Sequence, residues 1–132
     1  FKLALFDVGM LGAMAGLHPN SILEEDYGSY KGYFAENFVA QELLASRERE
    51  LYSWQEREAE VEFLLDIEGK IIPIEVKPGR VVKAKSLSVF CSKYAPPYRL
   101  ILSGRPLERS GEGQVYRLPL YLAGEIDRLV DG

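Results

Sequence analysis

The sequence predicts an α/β domain with a central mixed sheet flanked by helices, and three observations carry that expectation. Glu60 to Ile67 and Ile71 to Lys77 each alternate with period two, and the tight connection Glu68-Gly69-Lys70 joins them as an antiparallel hairpin. A helical segment precedes this pair and another follows it, each with apolar residues three and four positions apart. A further strand-like run, Tyr98 to Leu102, comes after the second helix. That order predicts a parallel neighbour, because parallel strands need a crossover connection.

In chain order, Lys2 to Leu5 reads as a short strand, followed by a connection of no clear period through Gly28, in which Gly9, Gly12 and Gly16 mark turns or loose helix. Tyr30 to Ala45 is a helix, with Phe34, Phe38, Val39, Ala40, Leu43 and Leu44 at helical spacings. At about 100° per residue, Glu36 falls between Leu43 and Ala40 on this wheel, so its carboxylate is aimed near the core. Glu42 falls in the same arc. Burying an unpaired charge is expensive, so such a position calls for a partner, a metal or a cleft.

Leu51 to Trp54 reads as a short edge strand. In the hairpin, Glu60, Glu62, Leu64 and Asp66 are expected on one face, opposite Val61, Phe63, Leu65 and Ile67. On the next strand Ile72, Ile74 and Val76 oppose Ile71, Pro73, Glu75 and Lys77. Pro73 lacks an N–H and predicts an irregular position in the ladder. Pro78-Gly79 ends the strand, a helix runs from Val82 to Tyr94, and Pro96-Pro97 stops it. Ser103 to Gly113 reads as a polar loop, Val115 to Leu118 as a last strand, and Leu120 to Val130 as a closing helix interrupted by Gly124.

The 132 residues suit one domain, and 47% hydrophobic with 27% charged residues describes an ordinary globule. Residues 1–29 are expected to be a connecting segment from an upstream region, and 30–132 the domain itself. The chain does not begin with methionine, so a fragment of a longer protein is expected. A net charge of −4 argues against a broad basic footprint for nucleic acid but leaves room for a local positive cleft. Cys91 is the single cysteine, which excludes an internal disulfide and a thiolate-rich zinc site and fits a reducing, cytoplasmic compartment. No apolar run approaches the roughly 18 residues of a membrane span, so no membrane partner is expected.

The chemistry-bearing residues lie on the hairpin. Glu75 and Lys77 leave the same face of one strand, and a suitable register brings Glu62 beside them. Two carboxylates can hold a hard cation such as Mg²⁺, with the Val76 carbonyl completing the ligand set and Glu36 reaching in from the helix. A lysine there can orient water or steady developing negative charge. Glutamate and lysine in this spacing also make an ordinary ion pair or a solvated face, so alternation alone leaves these readings open. Glu60 is a candidate to support a ligand or touch substrate, and Lys83 and Lys85 are candidates to approach a phosphate backbone. His18 reads as a loop residue, and Trp54 and Tyr52 as aromatics covering the sheet.

The ordered set Gly32-Tyr-Phe-Ala-Glu36-Asn-Phe-Val-Ala-Gln-Glu-Leu-Leu44, Leu51-Tyr-Ser-Trp54, Glu60-Val-Glu62-Phe-Leu-Leu65 and Ile72-Pro-Ile-Glu75-Val-Lys77-Pro-Gly79 resembles a C-terminal domain found behind the AAA-type ATPase module of many bacterial and archaeal proteins. The likeness extends from Leu5-Phe-Asp-Val-Gly9 through Lys85-Ser-Leu87, Phe90 and Tyr98 to Ser103, and on to Arg117-Leu-Pro-Leu-Tyr121. That domain is similar to the restriction-endonuclease-like fold of the PD-(D/E)xK superfamily. The resemblance implies a metal-dependent phosphodiesterase centre at Glu62, Glu75 and Lys77, using Mg²⁺ or Mn²⁺, with Glu36 as the acidic residue of the first core helix. It further implies DNA as a partner, an ATPase module upstream as the chain's own partner, and ATP only through that module; oligomerisation stays open. Position 62 departs from the pattern, carrying glutamate where aspartate is usual. No Gly-x-x-x-x-Gly-Lys-Ser/Thr loop occurs here, so these residues supply no ATPase site of that kind. The alternative expectation is a catalytically degenerate module that binds nucleic acid or docks onto protein.

Overall fold

The computed structural model describes residues 3–23, 30–79, 83–110 and 115–131. Its elements run α1 (Val8–Met14), α2 (Pro19–Leu23), α3 (Lys31–Ser46), β1 (Tyr52–Glu56), β2 (Ala59–Ile67), β3 (Lys70–Val76), α4 (Lys85–Tyr94), β4 (Arg99–Ser103), β5 (Glu108–Ser110), β6 (Val115–Pro119), a 3₁₀ segment (Leu120–Glu125) and α5 (Ile126–Asp131). The six strands form one mixed sheet in the order β1-β2-β3-β4-β6-β5. β1, β2 and β3 are successive antiparallel neighbours, β3–β4 and β4–β6 are parallel, and β5 runs antiparallel to β6. The expected α/β architecture with a mixed sheet flanked by helices is the one observed.

The hairpin follows from its turn chemistry. Ile67 pairs with Lys70, leaving Glu68 and Gly69 as a two-residue loop at φ of 52° and 78°. Positive φ at both positions gives the twist that matches two antiparallel strands, and glycine adopts it without steric cost. The Asp66 carboxylate accepts the Gly69 N–H at 2.8 Å and fixes the loop.

Apolar side chains bury both faces of the sheet. On one face Phe63, Leu65, Ile67, Ile72, Ile74 and Val76 pack against Val39, Ala40 and Leu43 of α3, with Ala123, Ile126 and Val130 closing that layer. On the other face Val61 and Ile101 pack against Leu87, Phe90 and Cys91 of α4, with Trp54 and Leu64 at the margin. Trp54 meets Phe90 edge-on at 5.3 Å between ring centroids, so it covers the sheet as its spacing suggested. Both faces of the central strands are covered, as sheets with βαβ crossovers require.

Several local expectations are corrected. Leu3 to Leu5 are not a strand, and Lys2 lies outside the described residues. The connection that follows contains α1 and α2, and α1 is tied to the domain by α3: Asn37 accepts the Leu5 N–H at 2.7 Å and donates to its carbonyl at 3.2 Å, while Gln41 accepts the Val8 N–H at 3.0 Å. The helix expected from Val82 begins at Lys85, and Val82 itself is not described. The polar loop after Ser103 contains β5, which pairs with β6. Pro73 does not interrupt the β2–β3 ladder; it lies opposite Leu64, and pairing with β4 starts one residue later, at Ile74. Leu44, placed on the apolar face by its spacing, is 49% exposed.

The correction that matters most for the site concerns β2. Its alternation does not run unbroken: Val61 belongs to the α4 layer, whereas Phe63, Leu65 and Ile67 belong to the α3 layer. The β1–β2 register shifts there, since Tyr52 lies opposite Leu64 but Trp54 lies opposite Val61. This bulge adds one residue to β2 and re-aims the side chains around Glu62.

Candidate carboxylate–lysine site

The site is built where β2 departs from β3. Regular pairing of these strands runs from Ile67↔Lys70 to Phe63↔Ile74 and stops short of Glu62 and Glu75. Instead of a backbone bond, the Glu62 side chain accepts the Val76 N–H at 3.1 Å. The bulge therefore turns a residue that would have continued the ladder into one whose carboxylate is held against the end of β3.

β3 is central, so the side chain of Glu75 is almost completely enclosed, at 2% exposure. Its cross-strand neighbour on β4 is Ile101, which belongs to the α4 layer, so Glu75 stands on that side of the sheet. One oxygen, Oε1, is 2.5 Å from the Lys77 Nζ. The other, Oε2, is buried and has no hydrogen-bond partner among the described residues. Lys77 is partly exposed, and its own N–H donates to the Leu102 carbonyl at 2.8 Å, which fixes the backbone just beyond the strand.

Electrostatics binds these groups into one unit. Burial, followed by the negative charge of Glu75, raises the Glu62 pKa to about 7, against the lowering effects of its own backbone N–H, the Val76 N–H and Lys77. Burial works against the Lys77 charge, but the hydrogen bond and charge of Glu75, then the charges of Glu62 and Glu36, outweigh it and raise its pKa. Glu36, half-buried on α3, is thus within electrostatic reach of Lys77. The structure brings Glu62, Glu75 and Lys77 together and sets Glu36 at the margin of the same cluster.

The remaining candidates lie further out. Glu60 is half-buried opposite Gln55 of the edge strand β1. Lys83 and Lys85 are exposed and line a cleft at the start of α4 with Arg99 and Arg117, neither of which was among the candidate site residues. Both arginines lie in stretches that carry the family likeness, but their two-residue offsets from Ile101 and Val115 on separate strands have no meaning until the strands are paired.

The donor set suits a hard divalent cation in part. Two buried carboxylates and an unpartnered oxygen on Glu75 are what Mg²⁺ or Mn²⁺ uses, since Mg²⁺ takes one or two carboxylates and keeps several waters. Among the described residues no three His, Cys, Asp or Glu side chains are grouped to hold an ion together, so Glu36 does not complete a cage of three carboxylates. Among the same residues no helix is long and apolar enough to cross a membrane.

No curated protein and no solved structure matches the chain. The family model described as Domain of unknown function (DUF4143) matches residues 31–121, from the first residue of α3 to the 3₁₀ segment, and encloses all four residues of the cluster. With more than half of its length within that model, the chain belongs to the DUF4143 family.

Proposed function

We propose that this domain is a divalent-metal-dependent phosphodiesterase of restriction-endonuclease-like (PD-(D/E)xK) type, acting on DNA and attached to an ATPase module. The observation that carries the reading is Glu75: a buried carboxylate at the end of a central strand, one oxygen on Lys77 and the other unpartnered. A buried carboxylate oxygen left without a partner costs about 1–3 kcal/mol, and a cation bound at Glu75 would supply the missing interaction. A bound ion supplies charge stabilisation at the phosphate and a more acidic water. Glu75 and Glu62 are the residues to hold it, with the Val76 carbonyl beside them. Lys77 keeps a positive charge beside these carboxylates and is placed to steady negative charge developing on a phosphate. Glu36 adds negative potential on the α3 side.

Cleavage of single-stranded, duplex and branched DNA with added Mg²⁺ or Mn²⁺ tests the reading, on this chain and on a longer protein carrying an ATPase module with ATP. Metal-dependent cleavage abolished by Glu75→Gln is the expected result. Absence of both cleavage and measurable metal binding overturns it.

A second reading, a degenerate module that binds nucleic acid or docks onto protein without cutting, draws on a different observation. Glu62 already spends an oxygen on the Val76 N–H, and its raised pKa favours a neutral acid over a metal ligand below about pH 7.

A further inference from the structure

On the α4 side of the sheet lies a cleft of about 420 Å³, within the range of ligand sites. Its floor is apolar, made by Leu87, Ile101 and Val115, and its charged lining consists of Lys83, Lys85, Arg99 and Arg117. Among the described residues no carboxylate lines it, in a chain whose net charge is −4. Among the described residues none of the four cations is in an ion pair. The nearest acid by pairing is Glu108, opposite Arg117 in the β5–β6 ladder, and its carboxylate lies 3.5 Å from Arg105. The Arg99 Nε is buried, with no hydrogen-bond partner among the described residues. α4 begins at this cleft with Ala84 as its N-cap, whose side chain offers no acceptor, so the N–H donors of the first turn add to the positive end of the helix.

Topology explains how these charges come together. β4 and β6 are parallel, with Arg99 opposite Val115 and Ile101 opposite Arg117, so the two arginines stand on the same face at diagonal positions. The same ladder continues to β3, where Ile101 is opposite Glu75. Glu75, Ile101 and Arg117 therefore form one row across three strands. At about 4.8 Å per strand, Arg117 is about 10 Å from Glu75 along the row.

We propose that this cleft binds backbone phosphates of the nucleic-acid strand whose cleavable bond is presented to the carboxylate–lysine site, an assignment that rests on the phosphodiesterase reading for the identity of the polymer. Four cations with no ion-pair partner among the described residues, together with a helix N-terminus, suit phosphate oxygens, which accept and do not donate. The apolar floor suits the sugar and base attached to them. The local positive cleft supplies what the overall negative charge denies, a docking point beside an otherwise repulsive acidic site.

The test is fluorescence anisotropy of a labelled single-stranded DNA oligonucleotide with EDTA present, at about 50 to 200 mM salt. Lys83→Gln, Lys85→Gln and Arg117→Gln are compared with Lys70→Gln, an exposed lysine at the opposite end of β3 from Lys77. Each cleft variant is expected to weaken binding about three- to tenfold and to flatten the salt slope by about one, with Lys70→Gln unchanged. Lys83 and Lys85 are exposed, so their substitution leaves the fold intact and the test does not depend on the stability of the arginine variant. Wild-type affinity in all three cleft variants overturns the proposal. So does ATP binding that these variants abolish while oligonucleotide affinity is unchanged, which makes the cleft a mononucleotide pocket. With metal chelated the assay does not depend on cleavage: a chain that binds in the expected pattern but never cuts defeats only the phosphodiesterase reading, and a chain that cuts while all three cleft variants bind normally defeats only this one.

Discussion

Glu75 and Lys77 are two positions apart on one strand end, and their environments make them a single electrostatic object. Replacing Lys77 with alanine leaves a 2%-exposed carboxylate without its cation. Removing the partly exposed cation that balances this buried carboxylate is expected to cost about 1–3 kcal/mol. In the metal-binding reading, saturating Mg²⁺ restores part of that loss by replacing the missing charge, while turnover stays impaired. Thermal unfolding with and without Mg²⁺ checks this, and a variant as unstable with the ion as without it counts against metal affinity. Glu62 supplies the pH dependence. Its folded pKa of about 7 lies above the ordinary carboxylate value, so the folded state holds the proton more tightly than the unfolded chain. The sign follows: stability is greatest at low pH for this group and is lost as pH rises from about 4.5 through 7. Glu62→Gln keeps an acceptor for the Val76 N–H and removes the titration. It is expected to stabilise the metal-free protein at pH 8 by up to about 3 kcal/mol, to flatten the pH profile, and to abolish metal binding. Urea unfolding from pH 5 to 8 reads the first two effects and metal titration the third.

At the scale of elements, α3 does two jobs with adjacent residues. Ala35, Val39, Ala40 and Leu43 pack against the sheet, while Asn37 and Gln41 hold the chain that leads into α1. Asn37 is 5% exposed and makes both of its bonds to one residue, Leu5, imitating a strand partner. Asn37→Ala is expected to cost about 1–3 kcal/mol and to raise hydrogen exchange at Leu5 and through α1, leaving β2 and β3 protected. Equal loss of protection across the sheet tells against a separable N-terminal attachment. The end of α4 offers the opposite kind of change. Ala95 closes that helix at φ of 44°, and its N–H donates to the Cys91 carbonyl. A left-handed residue at this position favours glycine, so Ala95→Gly is expected to stabilise the domain by about 1 kcal/mol. Thermal denaturation of the single variant decides it.

For the molecule as a whole, the mixed sheet sets two apolar layers apart and leaves charge chemistry at the margin of one of them. The hairpin, the crossover helix and the parallel strand after it were legible in the sequence because each depends on local information: period two, a tight Glu68-Gly69 turn, period 3.6, and chain order. Glu75 and Lys77 were legible as a pair for the same reason, since residues two apart on a strand share a face whatever surrounds them. The bulge in β2 was not legible. It arises from fitting β2 between two neighbours with different registers, and no property of Val61, Glu62 or Phe63 alone announces the extra residue. The N-terminal attachment was hidden for a related reason, because Asn37 and Leu5 are 32 positions apart and a polar residue on a helix gives no sign of what it holds. The sequence by itself determined the class of fold and the identity of the acidic and basic residues available for chemistry. Only the tertiary structure decided that Glu62 turns onto the Val76 N–H, that one oxygen of Glu75 is left unpartnered, and that Arg99 and Arg117 meet Lys83 and Lys85 in one cleft. Periodicity is a property of neighbouring residues, whereas register, burial and the meeting of distant charges belong to strands that find each other only when the whole sheet forms.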